Sequence, residues 1–416
     1  MSAAVTQLAT SAALISGPPG QPDISYAPNW EKYQARIQRQ LQLPNRPTTL
    51  PPGLPAKLHG PLVWDRESLV REEYKWTYEF TAAQLDEIEA ALAHFKSLNI
   101  PHGRISQQTF PLPTLHAVLR RLSHDLHLGH GFFVLRGVDV DAHSRADNIA
   151  IYAGLSAHIA PVRGRQDRSF SGVPADVTLT HIRDVQSANT AATIGSPAYT
   201  ADKQVFHTDS GDVVSLFALG TAEEGGESLL ASTWRVYNEI AATRPDIVHT
   251  LVQDWPFEMH HSFTNPRQLA PRPLLFHQPA TAAAPERIAL QYARRGLVGF
   301  GALPRSADMP PISEAQAEAL DTLHFLGEKY CVQTNFQKGD MQYVNNLGVF
   351  HARQGFRDSP ENTRHLVRLW LRDPEYAWET PVKLKERWSA VYDGVKEENQ
   401  VLPLEPFFRS NSSNKT

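Results

Sequence analysis

A chain of 416 residues, 41% hydrophobic and 20% charged, has the make-up of a soluble globular protein long enough for one elaborated domain or two modest ones. A formal net charge of −4 gives no basic footprint, which argues against nucleic acid and anionic membrane as partners. The single cysteine, Cys331, excludes an intrachain disulfide scaffold and fits a reducing, cytoplasmic setting.

In chain order, residues 1–62 are rich in Pro, Gly and Gln ("GPPGQPD", "RPTTLPPGLP"), a poor core-forming composition that predicts an extended, partly disordered arm. Globular composition runs over 63–405, and a polar tail closes the chain over 406–416. No apolar run approaches the roughly 18 residues that cross a bilayer.

Thr81 with Gln84 three residues on is a capping box, so "QLDEIEAALAHFKSL" should be a helix. "TLHAVLRRLSHDLHL" reads as a second helix, "GFFVLRGV" as a buried strand and "DNIAIYAGLSAHIA" as a third helix. "DVTLTHI", "VVSLFALG" and "ESLLAS" read as strands, followed by the helix "TWRVYNEIAA". A proline-punctuated insertion at about 256–312 should be irregular. Ser313 and Gln316 form another capping box, opening "EAQAEALDTLHFLGEKY". "QYVNNLGVFH" and "RHLVRLWLR" should be the last two strands. Helices first, then dispersed strands with a late helix, indicate an α+β fold with a mostly antiparallel sheet or barrel.

"QVFHTDSGD" places His207 and Asp209 two residues apart before an apolar strand. Positions i and i+2 leave one face of a strand, so both side chains can meet one metal ion. Imidazole and carboxylate suit a divalent metal, and iron in particular when a second histidine completes a facial triad. In a chain with 18 histidines that spacing alone is a weak signal. His351 is the candidate third ligand, and period 2 puts Tyr343, Asn345, Leu347 and Val349 on its strand face. Arg364, Leu366, Arg368 and Trp370 share a face of the next strand, where two arginines in an apolar strand each call for an anion. Gly225 and Gly226 permit a tight turn before Ser228, whose hydroxyl sits near the start of a strand.

Together, "HTD" at 207–209, "GGES" at 225–228 and "NNLGVFHAR…RHLVR" at 345–368 resemble the TauD/TfdA family of Fe(II)- and 2-oxoglutarate-dependent dioxygenases, over roughly residues 130 to 375. The resemblance implies a double-stranded β-helix (jelly-roll) core with flanking helices. It implies His207, Asp209 and His351 as iron ligands, and Arg364 with Ser228 on the distal carboxylate of 2-oxoglutarate. Arg368 would sit on the acidic group of the primary substrate. Ser228 stands where the family usually has threonine, a change that keeps the hydroxyl.

The implied reaction consumes O2 and 2-oxoglutarate, releases succinate and CO2, and oxidises an aliphatic C–H of a small anion, an amino acid, carboxylate or sulfonate. Hydroxylation is the usual outcome, with desaturation and ring closure as variants. Leu347 and Val349 would wall the iron. Arg165, Gln166 and His181 occupy the approximate region of the family's sulfonate grip, without a clean counterpart of its histidine–tyrosine pair. The proline-rich arm and "HARQGFRD" are similar to the fungal branch, which includes amino-acid oxidisers of secondary metabolism. A homo-oligomer is compatible with all of this. A zinc-dependent hydrolase using the same three side chains and a non-catalytic jelly-roll binding module remain open as alternatives.

Overall fold

The computed structural model describes residues 17–185, 194–259, 268–282, 284–301 and 304–407; the expected disorder of 1–16 and most of the polar tail lie outside these. Two sheets organise the chain. The larger runs in the order Thr77–Glu79, Phe132–Arg136, Met341–Asn345, Val213–Gly220, His365–Arg372 and Val162–Arg163, with Leu179–Ile182 also pairing onto His365–Arg372. Its pairings are antiparallel except that between Thr77–Glu79 and Phe132–Arg136. The smaller sheet, antiparallel throughout, runs Val332–Gln333, Ser228–Ser232, Val349–Arg353, Gln204–His207.

The central strands are buried on both faces, which explains their near-continuous apolar runs. Along His365–Arg372, Val367, Leu369 and Leu371 join a core shared with Ile88, Leu119, Ile151 and Tyr152 of the early helices. Those helices are Ala82–Ser97, Leu115–Leu128 and Arg145–Ile159. The intervening Leu366 packs inward with Ile182, Ala198 and Ala218. Another core joins helices Thr233–Thr243, Pro245–Val252 and Glu314–Tyr330 to the smaller sheet through Leu230, Phe350, Ile240, Val248 and Leu320. Both expected capping boxes form, at Thr81/Gln84 and Ser313/Gln316, and satisfy N–H groups that a helix start leaves unpaired.

Three expectations need correction. The arm expected to be extended carries a helix, Trp30–Leu41. Its Arg36 is 2% exposed and pairs with Asp321 at 2.6 Å and Glu314 at 2.8 Å, while Asp321 also pairs with Arg294 at 2.7 Å. Tertiary ion pairs thus secure a segment whose composition forms little core of its own. The insertion is less irregular than its prolines suggest: Leu275–Gln278 and Arg287–Leu290 make a hairpin, Glu258–Met259 pairs with Gln268–Leu269, and Arg295–Val298 is helical.

The run "QYVNNLGVFH" is two strands, not one. A turn at 346–348 carries the chain from the larger sheet, at Asn345, to the smaller, at Val349. Buried asparagines drive the turn: Asn345 Oδ1 accepts from the amides of Leu347 and Gly348, and Asn346 holds the loop at 209–211. The period-2 count through Leu347 therefore fails.

Candidate active site

His207 ends the strand Gln204–His207 and lies directly opposite His351 on the neighbouring antiparallel strand. Opposed residues face the same way across a strand pair, so the two rings meet with centroids 4.2 Å apart. Asp209 continues the same face two residues on. Thr208 turns away, its amide donating to the carbonyl of Tyr292 at 2.8 Å. One ligand atom from each of His207, Asp209 and His351 lies within 4.8 Å of the others. Asp209 is further fixed by its amide, which donates to Asn346 Oδ1 at 2.8 Å.

The donor set is prepared for a cation. Burial pushes the His351 pKa down to about 3, aided by the neighbouring His207, and burial also lowers that of His207, so both rings are neutral and offer lone pairs at neutral pH. Burial opposes ionisation of Asp209, but the charge of Arg368 and the hydrogen bond from Trp370 hold its carboxyl well below the usual carboxylate range. Asp209 Oδ2 accepts from Arg368 Nη1 at 2.8 Å and Trp370 Nε1 at 3.2 Å, while Oδ1 faces His207 Nε2 at 3.9 Å. His207 Nδ1 lies 2.9 Å from the carbonyl of Val205, which orients that ring. Nδ1 of His351 is buried without a hydrogen-bond partner. Two neutral imidazoles and a carboxylate suit Fe(II).

A cavity runs from these three residues, between the two sheets, to Ser228, Arg353 and Arg364. Its middle is apolar, with Val214, Leu216, Phe336 and Leu366 among its walls. At its far end Arg364 is 6% exposed, its Nη1 is buried without a partner, and burial together with the charge of Arg353 lowers its pKa to about 9. A buried cation left this way is costly unless an anion arrives. Gly226 makes room for it: with φ +79 its missing Cβ would lie 3.0 Å from Arg364 Cδ and Nε. Arg353 went unnoticed in the sequence. Its Nη2 donates to the carbonyl of Thr200 at 2.9 Å, but its buried Nε and Nη1 have no partner. Its position two residues beyond His351, on the same strand face, was the available signal.

A second cavity adjoins His207 and Asp209 but not His351. Arg368 and Trp370 line it, as do Phe257, Arg272, Gln291, Arg294 and Arg295 from the insertion and Arg387 from the helix Lys385–Tyr392. Tyr26 reaches in from the arm and accepts a hydrogen bond from the amide of Val205 at 3.3 Å. No local pattern marks Tyr26 or Arg387, since only chain folding brings them here.

Other expected residues lie elsewhere. Leu347 and Val349 are core residues that line neither cavity, because the turn at 346–348 breaks the face they were to share. Arg165 pairs with Asp176 at 2.5 Å and donates to the carbonyl of Ala390. His181 is held between His365, at 2.7 Å, and the carbonyl of Pro403. Gln166 stands behind the site: its Oε1 accepts from Arg368 Nε at 2.9 Å and from the Thr180 hydroxyl. None of these three lines either cavity.

Comparison with known proteins agrees with this geometry. The family model described as taurine catabolism dioxygenase TauD, TfdA family matches residues 96–370. A taurine hydroxylase-like protein, SAT17, of Stachybotrys chartarum is 32% identical over 356 residues, covering 84% of this chain and 88% of that one. The FR-33289 synthase of Streptomyces rubellomurinus is 22% identical over 340 residues, covering 79% and 94%. Among solved structures, an asparagine oxygenase with Fe(II), hydroxyasparagine and succinate shares the fold, with a TM-score of 0.53 and 16% identity over 72% of this chain and 94% of that one. The chain belongs to the TauD/TfdA family and is an Fe(II)- and 2-oxoglutarate-dependent dioxygenase.

Proposed function

We propose that His207, Asp209 and His351 hold the iron, and that 2-oxoglutarate lies in the cavity between the sheets, its distal carboxylate on Arg364 and Ser228. The observation that carries this is that one cavity is lined both by the three-donor cluster and by a buried guanidinium whose Nη1 lacks a hydrogen-bond partner. We further propose a double-stranded β-helix core formed by the two sheets. The iron supplies O2-dependent oxidation of a substrate C–H, coupled to conversion of 2-oxoglutarate to succinate and CO2, with one oxygen atom in the hydroxylated product and the other in succinate.

The protein's residues bind, orient and shield. Arg364 presents a planar fork to a carboxylate, and Ser228 adds a hydroxyl donor. Arg353, with unpaired N–H groups lining the same cavity, adds positive charge at that end. Arg368 and Trp370 engage one oxygen of Asp209 and keep the other turned to His207. The apolar walls exclude water from the methylene segment of the co-substrate.

For the primary substrate we propose a small anion, with amino acids, carboxylates and sulfonates as the classes to screen, and hydroxylation as the outcome. The SAT17 relative carries a taurine hydroxylase-like name, and the asparagine oxygenase was solved with a hydroxylated amino acid. A hydrolase using the same three side chains gives Arg364 and Arg353 no role.

The test is Fe(II)- and O2-dependent succinate formation across such a panel. Substrate-dependent succinate in the parent, and none in His351→Ala or Asp209→Ala, is expected. Undiminished turnover in either variant would refute the ligand assignment.

A further inference from the structure

Gln204 precedes His207 by three residues, so strict alternation would turn its side chain to the other face of the strand. The register sets it otherwise. His351 lies opposite His207, but Arg353, two residues on, lies opposite Gln204 and not Val205. Val205 and Phe206 thus share the place opposite Ala352, which is a β-bulge. The extra residue brings Gln204 to the face that carries His207, His351 and Arg353. The backbone groups of Val205 find partners outside the ladder: its amide donates to the Tyr26 hydroxyl at 3.3 Å, and its carbonyl accepts from His207 Nδ1 at 2.9 Å.

The carboxamide aimed in this way meets His207, with Gln204 Nε2 at 3.1 Å from His207 Nε2. A carbonyl only accepts, so the proton of the neutral ring is on Nδ1 and Nε2 holds a lone pair. The group facing that lone pair is therefore the NH2 of Gln204, since its oxygen would be repelled. This lone pair is the one His207 offers to iron, and it cannot serve a hydrogen bond and a metal at once. Gln204 is half-buried and, with Ala198, His207, Asp209 and Arg368, lines both cavities. Once His207 gives its lone pair to iron, the NH2 is left without that acceptor where the two cavities meet. With the distal carboxylate of 2-oxoglutarate on Arg364, the opposite end of the molecule lies toward the three donors and brings acceptor oxygens there.

We infer that Gln204 binds the co-substrate: its NH2 exchanges His207 for the 2-oxo acid end of 2-oxoglutarate. The inference rests on the reading that His207 ligates iron and that 2-oxoglutarate lies between the sheets. A residue that only packs would support both ligands. Gln204 competes with iron for one lone pair and assists the co-substrate, so its loss moves two affinities in opposite directions.

Two anaerobic titrations of the full chain test this. Fe(II) alone is followed by calorimetry; 2-oxoglutarate is then added at saturating Fe(II) and followed by the visible charge-transfer band of the iron–co-substrate pair. Gln204→Met, close in length but without a donor, should bind Fe(II) about threefold more tightly and 2-oxoglutarate about tenfold more weakly, the scale of one neutral and one charge-assisted hydrogen bond. Gln204→Glu keeps the shape and loses the NH2, and should weaken 2-oxoglutarate at least as much. Unchanged 2-oxoglutarate affinity in both variants would overturn the inference, whether Gln204 serves the primary substrate instead or serves none. Loss of Fe(II) and 2-oxoglutarate affinity together in Gln204→Met would also overturn it, by showing a supporting role alone. A parent chain that takes up no Fe(II) or gives no band would instead remove the iron and co-substrate reading beneath it, and the inference with it.

Discussion

The two cavities that meet at His207 and Asp209 are built in opposite ways. The one leading to Arg364 is formed largely by strands of the two sheets, through Val214, Leu216, Ser228, His351, Arg353, Leu366 and Arg368. The one beyond Asp209 takes its walls from an N-terminal arm, an insertion and a C-terminal helix, through Tyr26, Phe257, Arg272 and Arg387. The family match spans 96–370, so Tyr26 and Arg387 lie outside it while the residues of the strand-built cavity lie within. A reaction common to a family can rest on sheet geometry, where backbone hydrogen bonds fix each side chain. Selection of a substrate is left to segments that vary without disturbing the core.

The contrast can be tested, beginning with the largest effect. Arg364→Ala should raise the 2-oxoglutarate requirement about 10- to 100-fold, the scale of losing a charge-assisted bidentate contact, while Fe(II) stays bound. Equal co-substrate affinity in variant and parent, measured by titration of the charge-transfer band, would break the assignment of the sheet-built side.

Arg368 stands at the junction. Its sequence position suggests a grip on substrate, but its Nη1 meets Asp209 and its Nε meets Gln166. Arg368→Ala should therefore weaken Fe(II) binding about tenfold, the low end for loss of a residue that orients a metal ligand. Gln166→Ala should act in the same direction and less. Unchanged iron affinity with a selective loss of substrate binding would return Arg368 to the substrate side.

Tyr26 tests the other half. Tyr26→Phe removes the acceptor for the Val205 amide on the strand that carries His207, a loss of about 1 kcal/mol. A rise of about fivefold in the substrate KM, with 2-oxoglutarate affinity unchanged, is expected if the arm serves only that cavity. Equal effects on both constants would show that the arm supports the whole site.

The smallest effect concerns stability away from both cavities. Burial depresses His181 to about 4 and His365 to about 3, against 6.5 for an unperturbed histidine, and the two rings are in direct contact at 2.7 Å. Below pH 6.5 the unfolded chain takes up protons that the folded pair refuses. The stability these rings contribute is whole above that pH and declines on acidification, through the window from 6.5 down to about 4 and 3. Melting temperature followed across that window should fall, and His365→Phe should flatten the slope; an unaltered slope would clear the pair of this role.

Local pattern was sufficient for much of the chain. The capping boxes at Thr81 and Ser313 each need four residues, and both helices start where those residues say. The strand "VVSLFALG" is observed over Val213–Gly220, and Arg364, Leu366 and Arg368 share a cavity-facing side as period 2 requires. The long run "QYVNNLGVFH" failed because a turn stabilised by asparagine side chains resets the count, and hydropathy does not register a side-chain hydrogen bond. The arm failed for a related reason: Arg36 is secured by carboxylates at positions 314 and 321, far beyond any local window.

The sequence by itself determined the three metal-ligand candidates, the arginine and serine proposed for the co-substrate and, through them, the family, because each motif is a short segment legible in the local pattern. Tertiary structure alone decided that His207 faces His351, that Arg368 reaches back to Asp209, and that Tyr26, Arg272 and Arg387 surround one space. Those contacts join segments more than a hundred residues apart, and they depend on strand register and buried ion pairs, neither of which leaves a periodic trace in the chain.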